Sequence, residues 1–258
     1  FILVGVLAGL GSAVSKAGDP LDSWTATPTG LTNSLENLVE GNGLLVAAGY
    51  DGTIATSVNG VDWARQESGT TQHFNTICYG GGLFVAAGAR GALTVSEDGT
   101  NWVAINTGTQ NPLFGATYGN GLWVVVGGSN VLVSANGFQW VNRPSPVLPQ
   151  AYLNAVAFGA GRFVAVGAGL YAVWSTNTFD WRRSDSSIGN YFSIIHAGGQ
   201  FVAVGGGFSS LTETAVSLDG SQWTNTIFTG SAVSIIDIAY GDGRYVAPAL
   251  LLSFPPPS

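Results

Sequence analysis

The amino-acid sequence predicts an all-β chain, a β-propeller of six four-stranded antiparallel blades closed by pairing its N- and C-terminal strands. Three observations predict it. A tryptophan recurs every 38 to 42 residues, five of the six tryptophans in the series follow one shared turn, and a glycine-bounded apolar run precedes each of those turns. Self-similarity at a period near forty residues marks a fold in which each repeat is one supersecondary unit.

The tryptophans are Trp24, Trp63, Trp102, Trp140, Trp181 and Trp223, separated by 39, 39, 38, 41 and 42 residues. The turns read Ser57-Val-Asn59-Gly-Val-Asp-Trp63, Ser96-Glu-Asp98-Gly-Thr-Asn-Trp102, Ser134-Ala-Asn136-Gly-Phe-Gln-Trp140, Ser175-Thr-Asn177-Thr-Phe-Asp-Trp181 and Ser217-Leu-Asp219-Gly-Ser-Gln-Trp223. Asp or Asn in this position hydrogen-bonds its own turn backbone. Glycine supplies the positive φ of a tight turn, and tryptophan returns the chain to a strand as a large apolar plug.

Upstream lie Gly43–Gly49, Gly82–Gly88, Gly121–Gly127, Gly161–Gly167 and Gly199–Gly205, continuous apolar runs of the kind found in strands buried on both faces. A further short strand precedes each run through a glycine-rich hairpin. One unit therefore reads as strands A (Phe74–Tyr79), B (Leu83–Ala87), C (Ala92–Ser96) and D (Asn101–Asn106), which is one propeller blade. A parallel β-helix competes, but its coils are shorter and lack four hairpin-like turns per unit. The complete units span 31–68, 75–106, 113–142, 153–183 and 192–226 of a single 1–258 domain.

A sixth, composite blade is expected from 1–27 plus 234–241, with Phe1–Val6, Ser12–Lys16 and Trp24–Thr27 as strands B, C and D and Ser234–Tyr240 as strand A. Pairing first and last strands removes an exposed sheet edge. Arg244–Ala247 also has the pattern of strand B. Either the tail 243–258 lies outside the ring, or the chain has seven blades or belongs to a larger ring. Pro255–Pro257 cannot continue a ladder.

Composition narrows the function classes. With 46% hydrophobic and 9% charged residues the chain is not disordered. A net charge of −7 leaves no basic footprint for nucleic acid or an anionic membrane. Cys78 is the only cysteine, so no internal disulfide forms. Phe1–Ala13 resembles the apolar part of a secretory signal, with 14–17 as a cleavage region. It lacks a basic flank and is too short to span a bilayer, so it is read as a strand.

The serine–aspartate–glycine–tryptophan turns resemble the Asp-box repeats of sialidase-like propellers, over nearly the whole chain. The family's usual box has one more residue between Asp and Gly, and Thr178 stands in place of glycine in the fourth turn. The resemblance implies a propeller in which the boxes are peripheral structural turns. It also implies a search for three carboxylate-binding arginines, a Tyr–Glu nucleophile pair and an acid/base Asp. None of the seven arginines carries a motif that identifies a triad member. The repeats are also similar to secreted bacterial propellers and photosystem-assembly propellers.

No catalytic set emerges from the residues. Glycoside hydrolysis needs two facing carboxyl groups; the candidates are Glu36, Glu40, Asp51, Glu67, Asp185, Glu213, Asp237 and Asp242, while Asp62, Asp98, Asp180 and Asp219 belong to turns. Asp51 reads as a Tyr-Asp-Gly hairpin turn, and Asp237 as a hydrogen-bonded channel carboxylate. With His73, His196 and Cys78 as the only soft donors there is no spaced metal-ligand set, and no cofactor is implied. The expected binding residues are Tyr50, Asp51, His73, Arg90, Tyr152, Tyr171 and Tyr191. The aromatic ones, with Phe114 and Phe208, fall near B–C or D–A loops, which share one end of the propeller. The connections 142–152 and 205–214 are the expected seats of specificity.

The leading expectation is a non-catalytic extracellular, cell-surface or periplasmic propeller. It would bind a glycan or protein at its loop-rich face, with neither nucleic acid nor a transmembrane segment involved. A glycosidase or lyase with divergent acids near Asp51 or Asp237 is the runner-up. A third reading is a filament or surface-assembly subunit that self-assembles through its terminal strands.

Overall fold

A computed structural model describes residues 4–5, 30–143, 152–169, 171–185, 189–206, 212–228 and 233–251. The chain is all-β. Strand β1 (Val4–Gly5) comes first. The first sheet then holds β2 (Leu35–Gly41), β3 (Leu44–Gly49), β4 (Ile54–Ser57) and β5 (Ala64–Gln66), and the second β6 (Phe74–Gly80), β7 (Leu83–Gly88), β8 (Leu93–Ser96) and β9 (Val103–Ala104). The third holds β10 (Gly115–Gly119), β11 (Leu122–Gly127), β12 (Asn130–Ser134) and β13 (Val141–Asn142). The fourth is β14 (Tyr152–Gly159), β15 (Arg162–Ala168), β16 (Val173–Ser175) and β17 (Arg182–Arg183), and the fifth β18 (Tyr191–Ala197), β19 (Gln200–Gly206), β20 (Thr212–Ser217) and β21 (Thr224–Phe228). Each of the five is an antiparallel meander in chain order.

The strands join where the sequence forces them to. Between the first two strands of each sheet lies a two-residue turn with positive φ at both positions, as at Asn42 (53°) and Gly43 (73°) or Ala160 (45°) and Gly161 (73°). That twist matches flanking antiparallel strands. Between the third and fourth strands lies the repeated serine turn. In the first copy Ser57 Oγ accepts from Gly60 N at 2.9 Å, Asn59 Oδ1 accepts from Val61 N and Asp62 N at 2.9 Å, and Trp63 Nε1 donates to Gly60 O at 3.1 Å. The other four copies repeat this network. Thr178 keeps the geometry at φ 64°, with its hydroxyl accepting from Arg143 at 2.8 Å.

Successive sheets pack face to face, and each apolar core among the described residues lies between two neighbours. Val46, Ile54, Phe74 and Phe84 join the first two sheets, and Val85, Leu93, Leu113 and Trp123 the next two. Val126, Val131, Val156 and Phe163 link the third and fourth, Val164, Val166, Ile194 and Tyr191 the fourth and fifth, and Val202, Val204, Ile235 and Ile238 the fifth and last. Glycine allows the close approach: a Cβ on Gly41, Gly80, Gly119 or Gly159 would strike the ring of Tyr79, Tyr118, Phe158 or His196 on the following sheet. Each of those rings packs on an aromatic of its own second strand, such as Tyr79 on Phe84 with ring centroids 4.5 Å apart. Nearer the strand starts, Asn37, Asn75 and Asn154 donate to backbone carbonyls of the next sheet at 2.7, 2.9 and 3.0 Å.

The last sheet departs from the expected plan. It comprises β22 (Val233–Ile235), β23 (Ala239–Gly241) and β24 (Arg244–Leu251), with β22 and β23 on one edge of β24 and β1 on the other. Phe1–Val6 was expected in the second position, with Arg244–Ala247 as its competitor for that place and the tail after Gly243 outside the ring as one alternative. The competitor holds the position, so Phe1–Val6 is corrected and that alternative does not apply. β24 takes the second position, and Val4 and Gly5 pair with Pro248 and Ala247 in the third. The Asp242–Gly243 hairpin makes Arg244–Leu251 the local partner, so that pairing needs no long loop closure. Ser12–Lys16 and Trp24–Thr27 lie outside the described residues.

The interlock does not repeat between the last sheet and the first. Glu40 occupies the aromatic position, Leu38 and Glu40 are exposed, and no atom lies within 4 Å of a Cβ built on Gly241.

Candidate functional site

The starts of the first strands and the turns between second and third strands share one end of every sheet, since Leu35 pairs with Gly49 and Phe74 with Gly88. In the first two sheets these turns are short 3-10 segments, Tyr50–Gly52 and Ala89–Gly91. Asp51 (φ 52°) and Arg90 (φ 54°) occupy equivalent left-handed positions there, both exposed. The two residues thus serve a turn first and any ligand second.

At this end the structure brings together three side chains. The Tyr50 ring meets the His73 ring edge-on with centroids 4.0 Å apart, and His73 Nε2 lies 3.1 Å from Glu36 Oε2. Glu36 is displaced from the ladder by a register shift between Leu35 and Asn37, which frees its side chain to reach across to His73 ahead of the second sheet. Tyr50 keeps 47% of its surface exposed. The cluster therefore offers an aromatic face beside a hydrogen-bonded polar pair. Glu36 had been considered only as an isolated acid; its contact with His73 spans 37 residues and has no local sequence signal.

The other expected residues are distributed around the same end. Tyr152 is exposed beside Phe114 with centroids 6.2 Å apart, and Phe192, at another register shift, is also exposed. Tyr171 lies beneath the Arg183 guanidinium at 5.7 Å. Phe208 and the centres of the two long connections lie outside the described residues.

Tyr191 is a correction. It was expected at the ligand face and is wholly buried. It occupies the position of Leu35, Phe74 and Leu153 at the start of the first strand, where the side chain packs into the inter-sheet core. Burial pushes its hydroxyl up to about 12 and the nearby Glu213 carboxylate adds to the rise, against an opposing interaction with the Gly189 backbone. Its hydroxyl and Glu213 Oε2 are both buried without a well-formed hydrogen bond. A tyrosine so enclosed cannot attack a substrate.

Two of the carboxylates considered for catalysis hold structural contacts. Asp237 accepts from Ser193 Oγ at 2.7 Å and from Ile238 N at 2.8 Å, and Asp185 accepts from Gln222 at 3.4 Å. Burial drives the Cys78 thiol far above its ordinary range, which makes it a poor nucleophile. His196 packs on Phe201 at a 4.6 Å centroid distance. Among the described residues no three His, Cys, Asp or Glu side chains converge to hold a metal ion, and no helix is long and apolar enough to cross a membrane. A groove of about 370 Å³ lies at the opposite end of the fifth sheet, lined by Gln200, Val216, Leu218, Asp219, Gln222 and Thr224.

Four-stranded antiparallel sheets packed in sequence define the β-propeller class, and the chain has that fold. Solved propellers are similar to it across most of their length. A computationally designed protein, Ika8, matches with a TM-score of 0.61 at 11% identity over 84% of this chain and 71% of that one. YCF48 from Cyanidioschyzon merolae matches at 0.56 and 15% identity, over 83% and 79%. A chain of a nidogen/laminin complex matches at 0.56 and 14% identity, over 77% and 81%. No family model matches the sequence, and no curated protein is similar to it in sequence.

Proposed function

We propose that this chain is a non-catalytic binding module, a six-bladed propeller whose last blade is shared between the two chain ends and whose loop-rich end receives a glycan or protein. The observation that carries the reading is the Tyr50–His73–Glu36 cluster, set at the end where Tyr152 and Phe192 also stand exposed. Exposed aromatic faces with polar neighbours stack on sugar rings or receive apolar side chains. The serine turns act as Asp-box elements at the opposite end, where they tie the outer strands together and leave the binding end free to vary. An extracellular, cell-surface or periplasmic setting fits a chain with so few charges. The sialidase-like enzyme reading is weaker, because Asp51 sits in a strained turn, Asp237 is held by Ser193 and Tyr191 is buried.

A second reading, a subunit of a surface assembly, draws support from the pairing of Val4 and Gly5 of β1 with β24, a terminal-strand contact of the kind that copies can exchange. A glycan array on the purified chain, repeated with Tyr50→Ala and His73→Ala, tests the leading reading. Binding that falls by about tenfold or more in either variant supports it; binding unchanged in both places the ligand elsewhere.

A further inference from the structure

One sheet breaks the repeat in a way that folding does not require. On the face each sheet turns toward its successor, three equivalent positions cluster: a residue at the start of the second strand, a third-strand residue paired two places further along that strand, and the fourth-strand partner of the latter. They are Leu44, Thr56 and Ala64 in the first sheet, Leu83, Val95 and Val103 in the second, and Leu122, Val133 and Val141 in the third. In the fourth they are Arg162, Trp174 and Arg182, and in the fifth Gln200, Val216 and Thr224. Uncharged residues, mostly small or aliphatic, satisfy the positions elsewhere, so the fourth sheet has exchanged a sound packing solution for two cations and an indole.

The exchange leaves bonding capacity unused. The Arg162 guanidinium lies 4.4 Å from the Trp174 ring centroid and that of Arg182 5.5 Å from it. Two like charges thus share one ring and repel one another. The carboxylate within reach is Asp219 of the fifth sheet, 3.9 Å from Arg162 Nη1, and it already accepts from Ser221 and Gln222. Arg162 Nε and Trp174 Nε1 are buried with no acceptor. Each such donor has given up its hydration without gaining a partner, and natural sequences break local rules of this kind at functional or strained sites.

We propose that this notch at the rim between the fourth and fifth sheets binds one oxyanion, a carboxylate or sulfate group carried on a sugar or another otherwise uncharged molecule. The anion lies between the two guanidiniums, relieves their repulsion and draws the Arg162 Nε–H into a charge-assisted bond. The arginines cover the indole ring, so charge and not stacking selects the ligand. A chain of net charge −7 repels a densely charged polyanion at long range but admits a single anionic group at this local pair of cations. The site lies at the serine-turn end and is separate from the Tyr50 cluster.

The test is titration of the intact chain at low ionic strength with galacturonate, inorganic sulfate and galactose, following the Trp174 indole and Arg162 Nε–H resonances by NMR. Galacturonate, with or without sulfate, should shift both signals, and galactose should shift neither; sulfate alone acting would assign the notch to a free inorganic oxyanion. The variant Arg162→Leu/Arg182→Val carries the residues that the second sheet uses, so it should fold with an unchanged thermal midpoint and bind at least about tenfold more weakly, read on the Trp174 signal. Tyr50→Ala should bind the anion as the parent does, which separates this proposal from the loop-face reading. Absence of a shift with both anions, an equal shift with galactose, or full binding by the double variant would overturn it.

Discussion

The serine turn shows how one residue choice fixes local structure and its response to pH. An acceptor two residues after serine gathers two backbone N–H groups and leaves the tryptophan N–H to close the turn on a carbonyl. Asp98 and Asp219 do this as anions, and both are held below the usual carboxylate range. The Asn101 backbone and side-chain bonds act chiefly at Asp98, and the Ser221 hydroxyl at Asp219, where the value falls to about 2. A depressed folded value stabilises the fold above the unfolded value of about 4 and is lost as pH falls toward 2. Asn59, Asn136 and Asn177 hold the same turn without a charge. Thermal midpoints measured from pH 5 to pH 2 should therefore fall less steeply in Asp98→Asn/Asp219→Asn than in the parent. The difference is about 1 kcal/mol or less, because both carboxylates are solvent-screened. Parallel curves would show that the bonds to these carboxylates do not favour the anion.

At the scale of the strand and sheet, close approach and not hydrogen bonding alone sets the spacing of neighbours. Gly80 and Gly119 end their strands under the rings of Tyr118 and Phe158, where a methyl group has no room. Gly80→Ala and Gly119→Ala should each cost about 2–3 kcal/mol in denaturant unfolding, from strain in a packed interface. Gly108→Ala is the control: its φ of 71° is left-handed, unlike that of Gly80 or Gly119, but nothing lies within 4 Å, so only the backbone penalty of about 1 kcal/mol applies. Equal costs at all three would refute the interlock. These elements were largely legible in the sequence. The expected Phe74–Tyr79 and Leu83–Ala87 each fall one residue short of β6 and β7, because apolar runs between paired glycines permit one register. What sequence did not reveal depends on partners far apart in the chain. The Glu36–His73 contact is one case, and the inward turn of Tyr191, written like its exposed neighbour Phe192, is another. The Arg162–Trp174–Arg182 departure was in principle readable by aligning repeats position by position, but the alignment needs the strand register first.

At the scale of the molecule, an apolar core joins five successive pairs of sheets, four of them with the glycine–ring interlock, and β1 meets β24 in the last sheet. The tail strand β24 has the motif of a second strand and takes that place, which leaves the N-terminal strand the third. The seam beyond it carries Glu40 where the other sheets carry an aromatic ring. A self-contained platform and an assembling subunit differ in whose N-terminal strand lies against β24. Cysteines at the paired positions Gly5 and Ala247, in a Cys78→Ala background, read this directly when the oxidised protein is sized by sedimentation and by denaturing gel. A monomer with an intrachain crosslink and a raised thermal midpoint is the predicted result. Covalent dimers or longer chains, or no crosslink at all, would contradict it.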